Sequence, residues 1–425
     1  MNSLRLTAIL SIAALSLARP AEATPWHVMG PRAMGMGGAG VAVAQGPLAS
    51  YWNPAGLGQL YNVNGGMLSA SFRAAFVGKM LEGANDLNRI NQDCQKAGGG
   101  AGTGYCQTDK VRIALAKLGD KTSGADADAG AALSIKVKKL VFFAHGLDYM
   151  GVTALVDQVN NTDAALVANA NTSRLILRGG LFTEVGLGYG TEIRESGIVV
   201  GASVKAIQGK IGYSRFNLFT DKPDSKVFTD YNKNTKSSVQ PGVDAGLLWD
   251  LRETYPSLPM RPRIGVVGRN LNDPKFDQPQ AASDGGAPAR YSLHGQARAG
   301  VALSPFRFWH LAADVDLTDN LTTVEGVKSR YLSAGTEIDL VNHPAFNIPL
   351  RAGVQKDLSG ESSLAYTAGL GINLLHLVVD IAGSISSDRT DWQSEEKTEK
   401  IPNNFGASLN VGFLFGGKDT GVRNK

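Results

Sequence analysis

The sequence has few cysteines, few histidines and no long apolar run beyond its N-terminus. Its two cysteines are Cys94 and Cys106, and its six histidines form no His-Glu-x-x-His pair. This spacing gives no metal site, and we expect neither a metal nor a cofactor. Polar residues interrupt even the most apolar region, residues 370–383. Since a spanning helix needs about 20 apolar residues, we exclude one after the N-terminal segment.

Charge and aromatic residues are also scarce. Charged side chains make up 19% of the chain, with 42 basic and 38 acidic residues spread along it. No basic face is visible, so we expect no nucleic-acid partner. Glycine is abundant, with 51 residues among 425 and no Gly-X-Y period. This composition excludes collagen and favours a many-stranded β architecture.

The N-terminus carries an export signature. Residues 1–23 contain Arg5, then an apolar run of about 13 residues, then Ala21-Glu22-Ala23. We predict a secretory signal peptide that is cleaved before Thr24. A membrane anchor is the alternative, but the run is too short for one.

The two cysteines lie 12 residues apart across a glycine-rich stretch. In an exported protein this spacing predicts one local disulfide between Cys94 and Cys106. Two free buried thiols are the alternative.

Strict alternation of apolar and polar residues dominates the chain from Gly65 onward. Between residues 174 and 190, for example, leucines and Tyr189 share one face, while arginines, Glu184 and glycines share the other. This period of two is typical of strands with two different faces. We predict that the polar faces point into a lumen and that the following charged residues lie there: Arg174, Arg178, Lys205, Asp244, Arg298, Asp314 and Arg351.

The alternation predicts about 14 strands, an even number. The predicted segments are 65–76, 130–138, 139–158, 172–190, 196–212, 237–251, 260–271, 289–303, 307–317, 329–340, 347–357, 362–375, 376–386 and 404–415. Long and short connections alternate, and many segments are long enough to cross a bilayer at a tilt. The pattern therefore predicts an all-β, transmembrane antiparallel β-barrel (65–415). A soluble β-sandwich, such as a secreted adhesin, also alternates and stays as a weaker alternative.

The connection after the first strand, 77–129, differs from the others. Its apolar residues recur at helical spacing, and Asp109 is placed to cap a second helix. We predict a short helical insertion of two helices, tied by the disulfide and placed outside the cell by strand parity. It either covers the barrel mouth or forms a stiffened, solvated loop.

A glycine-rich motif, Gly35-Met36-Gly37-Gly38-Ala39-Gly40, matches G-x-G-x-x-G. A dinucleotide site needs a preceding strand and an acidic residue about 20 positions later. Neither is present, because no acid occurs between Glu22 and Glu82. Other nucleophile or phosphate motifs are also missing, so we predict that the protein is not an enzyme and has no catalytic residues.

Residues 31–57 carry a resemblance to a known group. The stretch from Pro31 to Ala44, followed by Ala-Ser-Tyr-Trp-Asn-Pro-Ala-Gly-Leu at 49–57, resembles the N-terminal hatch of the FadL/TodX superfamily of outer-membrane barrels. The helical insertion and residues 267–276 are similar to its TraF-like branch, associated with conjugal transfer. The resemblance implies a 14-stranded barrel plugged by residues 24–64. It places the hatch motif at Asn53, Pro54, Ala55 and Gly56, and the hatch glycines at Gly35, Gly37, Gly38 and Gly40.

Together these features predict a barrel in the outer membrane of a Gram-negative bacterium, in contact with outer-membrane lipid. We expect a passive conduit for a small hydrophobic solute, gated by the hatch, with residues 416–425 as a periplasmic tail. The alternative is a structural or interaction component of a conjugal-transfer or surface-assembly apparatus, with envelope or transfer-apparatus proteins as partners. A flexible N-terminal arm is the alternative to the hatch.

Overall fold

A computed structural model describes residues 24–59, 63–99, 105–120, 123–219, 227–343, 345–360, 364–393 and 397–415. The predicted signal peptide (1–23) and periplasmic tail (416–425) lie outside the described residues. Among the described residues, no helix is long and apolar enough to cross a membrane.

The dominant feature is a closed antiparallel barrel of 14 strands. Its strands, in spatial order, are β1 (Asn64–Val77), β2 (Gly124–Val137), β3 (Leu140–Leu155), β4 (Arg174–Glu192), β5 (Ile198–Asn217), β6 (Thr235–Asp250), β7 (Arg263–Arg269), β10 (Gln296–Phe306), β11 (Trp309–Asp316), β14 (Tyr331–His343), β15 (Phe346–Asp357), β16 (Ala365–Leu374), β17 (Leu377–Ser386) and β20 (Asn404–Phe415). The last strand pairs with the first, from Asn64 opposite Phe415 to Ala75 opposite Asn404. This closure confirms the predicted barrel and excludes a sandwich.

Three two-stranded sheets decorate the long connections. They are β8 (Lys275–Asp277) with β9 (Arg290–Ser292), β12 (Asn320–Leu321) with β13 (Lys328–Ser329), and β18 (Arg389–Gln393) with β19 (Thr398–Pro402). The described helices are α1 (Pro31–Gly35), α2 (Ala49–Trp52), α3 (Met80–Lys96), α4 (Thr108–Leu118), α5 (Asp163–Val167), α6 (Val227–Lys233), α7 (Leu251–Thr254) and α8 (Gln280–Asp284), with a 3-10 helix at Pro54–Gly58.

Each of the 14 predicted segments corresponds to a barrel strand, but three boundaries were wrong by five residues or more, including the end of β5, which is Asn217 rather than residue 212. The second strand begins at Gly124, not at residue 130, because alternating alanines and aspartates already pair with β1 there. The segment predicted over 289–303 is two elements: β9 pairs with β8, and the barrel strand β10 begins at Gln296. The wall is consequently uneven, since β5 has 20 residues and β7 has only 7.

The helical insertion after β1 is present, and its disulfide joins Cys94 to Cys106 with a Cα–Cα distance of 5.4 Å. α3 and α4 pack through a shared apolar core that includes Met80, Leu87, Ile90, Cys94, Val111, Leu115 and Leu118. The predicted cap was wrong: α4 begins at Thr108, and Asp109 in its first turn instead pairs with Arg112. By strand alternation the insertion lies at the end of the barrel that carries the long connections.

Candidate functional site

The lumen is occupied by residues 24–59, which we call the hatch. None of these residues is exposed, and they contain no strand. They form the short helices α1 and α2 and the 3-10 helix, linked by turns. The predicted plug is therefore present in the lumen. It is held by contacts with the wall rather than by sheet pairing.

Asn53 connects the hatch to the wall. Its Oδ1 accepts a hydrogen bond from the backbone N–H of Ala55 at 3.1 Å, which caps the 3-10 helix that Pro54 begins. Its Nδ2 donates to the carbonyl oxygen of Leu247 on β6 at 3.1 Å. The wall is glycine at this point: a Cβ at Gly246 would lie 2.0 Å from Asn53 Oδ1. The predicted motif therefore seats the hatch against β6.

Ala55 and Gly56, the other members of the motif, are fully packed. Ala55 has no exposed surface. A Cβ at Gly56 would lie 2.5 Å from the carbonyl oxygen of Ala44, inside the hatch itself. Gly201 on β5 faces Pro54 so closely that a Cβ there would lie 2.3 Å from its carbonyl carbon. Small residues on both sides allow backbone to pack on backbone.

The glycine motif binds a carboxylate of the wall. The backbone N–H groups of Gly40 and Val41 donate to Oδ2 of Asp314 at 2.7 and 2.9 Å. Successive N–H groups of this kind form a binding site for an anion. In this fold Asp314, one of the predicted lumen residues, occupies that place, so the motif serves attachment of the hatch rather than phosphate binding.

The other hatch glycines lie against β14 to β16. Gly37 donates through its N–H to Thr367 Oγ1 at 3.0 Å, and Thr367 in turn donates to the carbonyl oxygen of Gly35 at 3.0 Å. Gly37 and Gly38 have φ values of 72° and 92°, a region that favours glycine. A Cβ at Gly35 would lie 2.9 Å from Cβ of Arg351.

A row of alternating charges joins the hatch to the wall. Arg32 in α1 pairs with Glu337 on β14 at 2.8 Å. Glu337 pairs with Arg351 on β15 at 2.6 Å, and Arg351 pairs with Asp380 on β17 at 2.8 Å. We call these four residues the charged row. Of them, sequence analysis predicted only Arg351, because the others depend on which strands are neighbours.

A second cluster of buried charges includes the predicted Lys205 and Asp244. Lys205 pairs with Asp244 at 2.9 Å and with Glu184 at 3.1 Å. The guanidinium of Arg269 lies 3.6 Å from Glu184 and 4.1 Å from the centre of the Tyr51 ring. Burial raises the pKa of the Tyr51 hydroxyl to about 12. The cluster therefore contacts the hatch through an aromatic side chain.

Arg298 also reaches the hatch. It pairs with Asp316 at 2.5 Å, and its guanidinium lies 4.7 Å from the centre of the Trp26 ring. Arg174 and Arg178 do not contact the hatch in this way. Arg178 donates to Gln278 Oε1 at 3.3 Å and lies 5.4 Å from the centre of the Tyr291 ring, while Arg174 is half-buried at the start of β4.

Sequence analysis missed a further contact at His27. Its Nδ1 lies 2.5 Å from Asp128 and its Nε2 lies 2.7 Å from Ser71 Oγ. Asp128 also accepts from Arg73 Nε at 2.7 Å, and Arg73 pairs with Asp126. The alternation Ala-Asp-Ala-Asp at 125–128 was the signal, because it places both acids on the lumen face of β2.

Above the hatch, towards the long connections, one part of the lumen is apolar. The connection between β7 and β10 turns inward and places Phe276 and Tyr291 against Phe182, with ring centres 5.2 and 5.6 Å apart. A Cβ at Gly209 would lie 2.4 Å from the Phe276 ring. Tyr149, Ile207, Ile211 and Leu293 belong to the same buried cluster. We call it the upper apolar cluster.

Below the hatch, at the end with tight turns, a cavity of about 250 Å³ lies between the hatch and β14 to β20. Residues of the hatch such as Pro31, Val43 and Trp52 form one side, and wall residues such as Asn373 and Asn410 form the other. We call it the lower cavity. It borders the charged row, so movement of the hatch would change its size.

The chain matches the model of a known protein family. A family model described as "F plasmid transfer operon, TraF, protein" matches residues 50–316, more than half of the chain. The chain belongs to this TraF family. Its matched region runs from the end of the hatch through β11, so it includes the hatch motif and the helical insertion. No curated protein gives a significant match.

Solved structures similar to this TraF-family chain are outer-membrane channels. A deltaS2 mutant of the TodX monoaromatic hydrocarbon channel has 13% identity and a TM-score of 0.50, covering 91% of this chain and 98% of that one. The P. putida toluene transporter TodX has 12% identity and a TM-score of 0.47 over 91% and 98%. A Pseudomonas aeruginosa FadL homologue has 12% identity and a TM-score of 0.45 over 94% and 99%. At this identity the likeness to the TodX mutant, whose TM-score is 0.50, shows the fold alone, a β-barrel.

Proposed function

We propose that this protein is a passive conduit in the outer membrane of a Gram-negative bacterium, which carries a small hydrophobic solute and is gated by the hatch. The observation that carries the proposal is the independence of barrel and hatch. The sheet closes through β1 and β20, and the hatch adds no strand to it. The hatch can therefore change position without breaking the hydrogen-bond ladder of the barrel.

The outer surface supports a membrane location. Large apolar side chains are exposed on the outward faces of the strands, where water would make them costly. Examples are Leu133, Phe142, Val185, Val204, Leu370 and Leu409. Tyr189, Phe413 and Phe415 are about half exposed close to the tight turns. Such aromatic residues favour the boundary between membrane and water.

The upper apolar cluster supports a hydrophobic solute. It lies directly above the hatch, and part of it belongs to the inward-turned connection between β7 and β10. When that connection moves, the apolar side chains of the cluster would become accessible to a solute. Phe182, Phe276 and Tyr291 would offer ring faces and edges to an apolar molecule. The similar TodX channel is named for monoaromatic hydrocarbons, which agrees with this class of solute.

A cross-link between hatch and wall tests the gating. In the double variant Arg32→Cys, Glu337→Cys, a short bismaleimide would join α1 to β14 in place of the native ion pair. We expect uptake of radiolabelled toluene by whole cells to be at or above the wild-type level before cross-linking, because the hatch has lost an ion pair, and to fall to the level of a deletion strain after it. The variant Lys139→Cys, Thr191→Cys is the matched control, since Lys139 donates to Thr191 Oγ1 at 3.0 Å within the wall and neither residue lines the lower cavity. Uptake that persists through the hatch cross-link would show that the hatch does not gate.

The second candidate is a structural role in conjugal transfer or in a surface-assembly apparatus. The match to a family described by a plasmid transfer operon favours it. The lumen, filled by the hatch below and by inward-turned connections above, also suits a protein that passes no solute. Transfer frequency in a deletion strain tests this role. Loss of transfer that is restored equally by the wild type and by the cross-linked variant would favour it over transport.

A further inference from the structure

The lower cavity has two chemically different sides. On the hatch side Pro31, Val43 and Trp52 present apolar surface. The only polar atom of the Trp52 ring, Nε1, already donates to the carbonyl oxygen of Met29 at 2.8 Å. A ligand in the cavity therefore meets carbon on this side, and an apolar body would be stabilised there.

Among the charged residues that line the cavity, the four of the charged row satisfy one another. In the charged row, two arginines and two carboxylates alternate at distances of 2.6 to 2.8 Å. An ionic ligand would have to break one of these pairs and leave a buried charge without its partner, which is costly. The row thus selects against a strongly charged ligand.

Two asparagine side chains on the wall each have an amide oxygen that accepts no hydrogen bond within the described part of the chain. These are the buried Oδ1 atoms of Asn373 on β16 and Asn410 on β20. Asn410 is 3% exposed, and both residues line the cavity. A buried amide oxygen without a donor is unfavourable, so rotation of either amide towards the cavity would be stabilised by a hydrogen bond from a donor that enters it.

We propose that the lower cavity binds a small neutral alcohol or phenol. Its apolar body packs on Pro31 and Trp52, and its single hydroxyl hydrogen is donated to the amide oxygen of Asn410 or, in an alternative pose, to that of Asn373. A volume of about 250 Å³ exceeds the roughly 150 Å³ of a cavity known to bind benzene, so it is enough for one aromatic ring with a short substituent. This inference rests on the proposed conduit and names the class of solute at the periplasmic side of the hatch.

Binding of benzyl alcohol and toluene to the purified, detergent-solubilised full-length protein tests the proposal. The two probes differ by one hydroxyl group, and each is compared between variants in the same detergent, so partition into micelles cancels. We expect Asn410→Leu to weaken benzyl alcohol binding about tenfold and to change toluene binding less than twofold, as expected for one lost hydrogen bond. Asn373→Leu should give a smaller loss of the same kind.

Asn404→Leu is the matched control, because Asn404 lies on the same face of β20 at its other end, away from the lower cavity. It should leave both affinities unchanged. Equal losses for both probes in Asn410→Leu, or unchanged benzyl alcohol binding in that variant, would each overturn the proposal. Circular dichroism confirms that the variants are folded.

The two proposals can fail separately. Benzyl alcohol binding that depends on Asn410, together with uptake that persists after the hatch cross-link, would support the binding site and contradict gating by the hatch. Uptake that the cross-link blocks, together with equal effects of Asn410→Leu on both probes, would support gating and contradict the binding site.

Discussion

The carboxylate of Asp314 on β11 accepts the backbone N–H of Gly40 in the hatch at 2.7 Å. The same oxygen accepts the N–H of Val41, so one wall residue satisfies two successive donors of the glycine motif. Bonds to a charged acceptor contribute about 1.5 to 3 kcal/mol each. This contact is therefore one of the strongest attachments of the hatch.

Replacing Asp314 by leucine should loosen the hatch and leave the barrel intact. Two buried N–H groups would lose their acceptor, which costs roughly 2 to 4 kcal/mol locally. We expect hydrogen exchange of the Gly40 and Val41 amides to become at least tenfold faster, with Asp314→Asn intermediate. Asp148→Leu is a matched control, because Asp148 alternates with the buried Leu147 and Tyr149 and so faces outward. Unchanged exchange in Asp314→Leu would contradict the assigned role.

Alanine substitutions at two hatch glycines distinguish the cost of backbone strain from the cost of steric crowding. Gly37 and Gly46 both have positive φ, at 72° and 64°. A Cβ at Gly37 would lie 2.3 Å from the carbonyl oxygen of Val354, whereas nothing lies within 4 Å of one at Gly46. Gly46→Ala should cost about 1 kcal/mol from the left-handed conformation alone. Gly37→Ala should cost about 1 to 3 kcal/mol more, because the hatch must move away from β15.

Chemical denaturation of the two alanine variants, followed by tryptophan fluorescence, measures this difference, since Trp26 and Trp52 both belong to the hatch. Equal destabilisation of the two variants would mean that the wall yields at Val354. The close packing of hatch on wall described above would then be wrong.

The strands could be predicted because their faces alternate, and alternation needs only the local sequence. The pairing of charges across the lumen could not. Glu337 lies opposite Arg351 in the register of β14 and β15, and that register depends on the tight turn and on a bulge after Asp339. Sequence analysis placed Arg351 in the lumen from its parity, but it had no means of naming its partners.

The hatch, like the strands, could be predicted only in part: its own residues could be recognised in the sequence, but the wall residues that it contacts could not. Its glycines and the sequence Asn-Pro-Ala are visible in the chain, and the positive φ of Gly37 follows from local sterics. The hatch packs against wall glycines such as Gly201 and Gly246. In the sequence, nothing distinguishes these glycines from the many others in the chain. Only the three-dimensional path of the hatch shows which glycines face it. For the same reason the lower cavity was not predicted.

The charged row predicts a larger loss of stability for a change at Glu337, an inner member, than for one at Arg32, an end member. Glu337→Leu would leave Arg32 and Arg351 near each other without their shared carboxylate, and removing one partner of a buried pair costs about 3 to 5 kcal/mol. Arg32→Met should cost less, because Glu337 keeps Arg351 at 2.6 Å. The double variant should be destabilised by less than the sum of the two single changes.

A double-mutant cycle with free energies of unfolding tests the coupling of Arg32 and Glu337. We expect a coupling energy of about 1 kcal/mol or more. Strict additivity would show that the pair contributes little to holding the hatch. The proposed bismaleimide cross-link would then replace a contact of no importance.

Alkaline pH should release the hatch through Tyr51. Its hydroxyl donates to the carbonyl oxygen of His27 at 2.7 Å, and burial raises its pKa to about 12. In the unfolded chain a tyrosine ionises near pH 10, so the stability that the neutral Tyr51 hydroxyl contributes is fully present below about pH 10 and is lost as pH rises towards 12. Two pKa units correspond to at most about 3 kcal/mol. Tyr51→Phe cannot ionise, so it should be slightly less stable than the wild type at pH 8 and more resistant to the rise in pH. Unfolding followed by tryptophan fluorescence at pH 8, 10 and 11.5 measures both profiles, and parallel profiles would exclude Tyr51 as the group that responds.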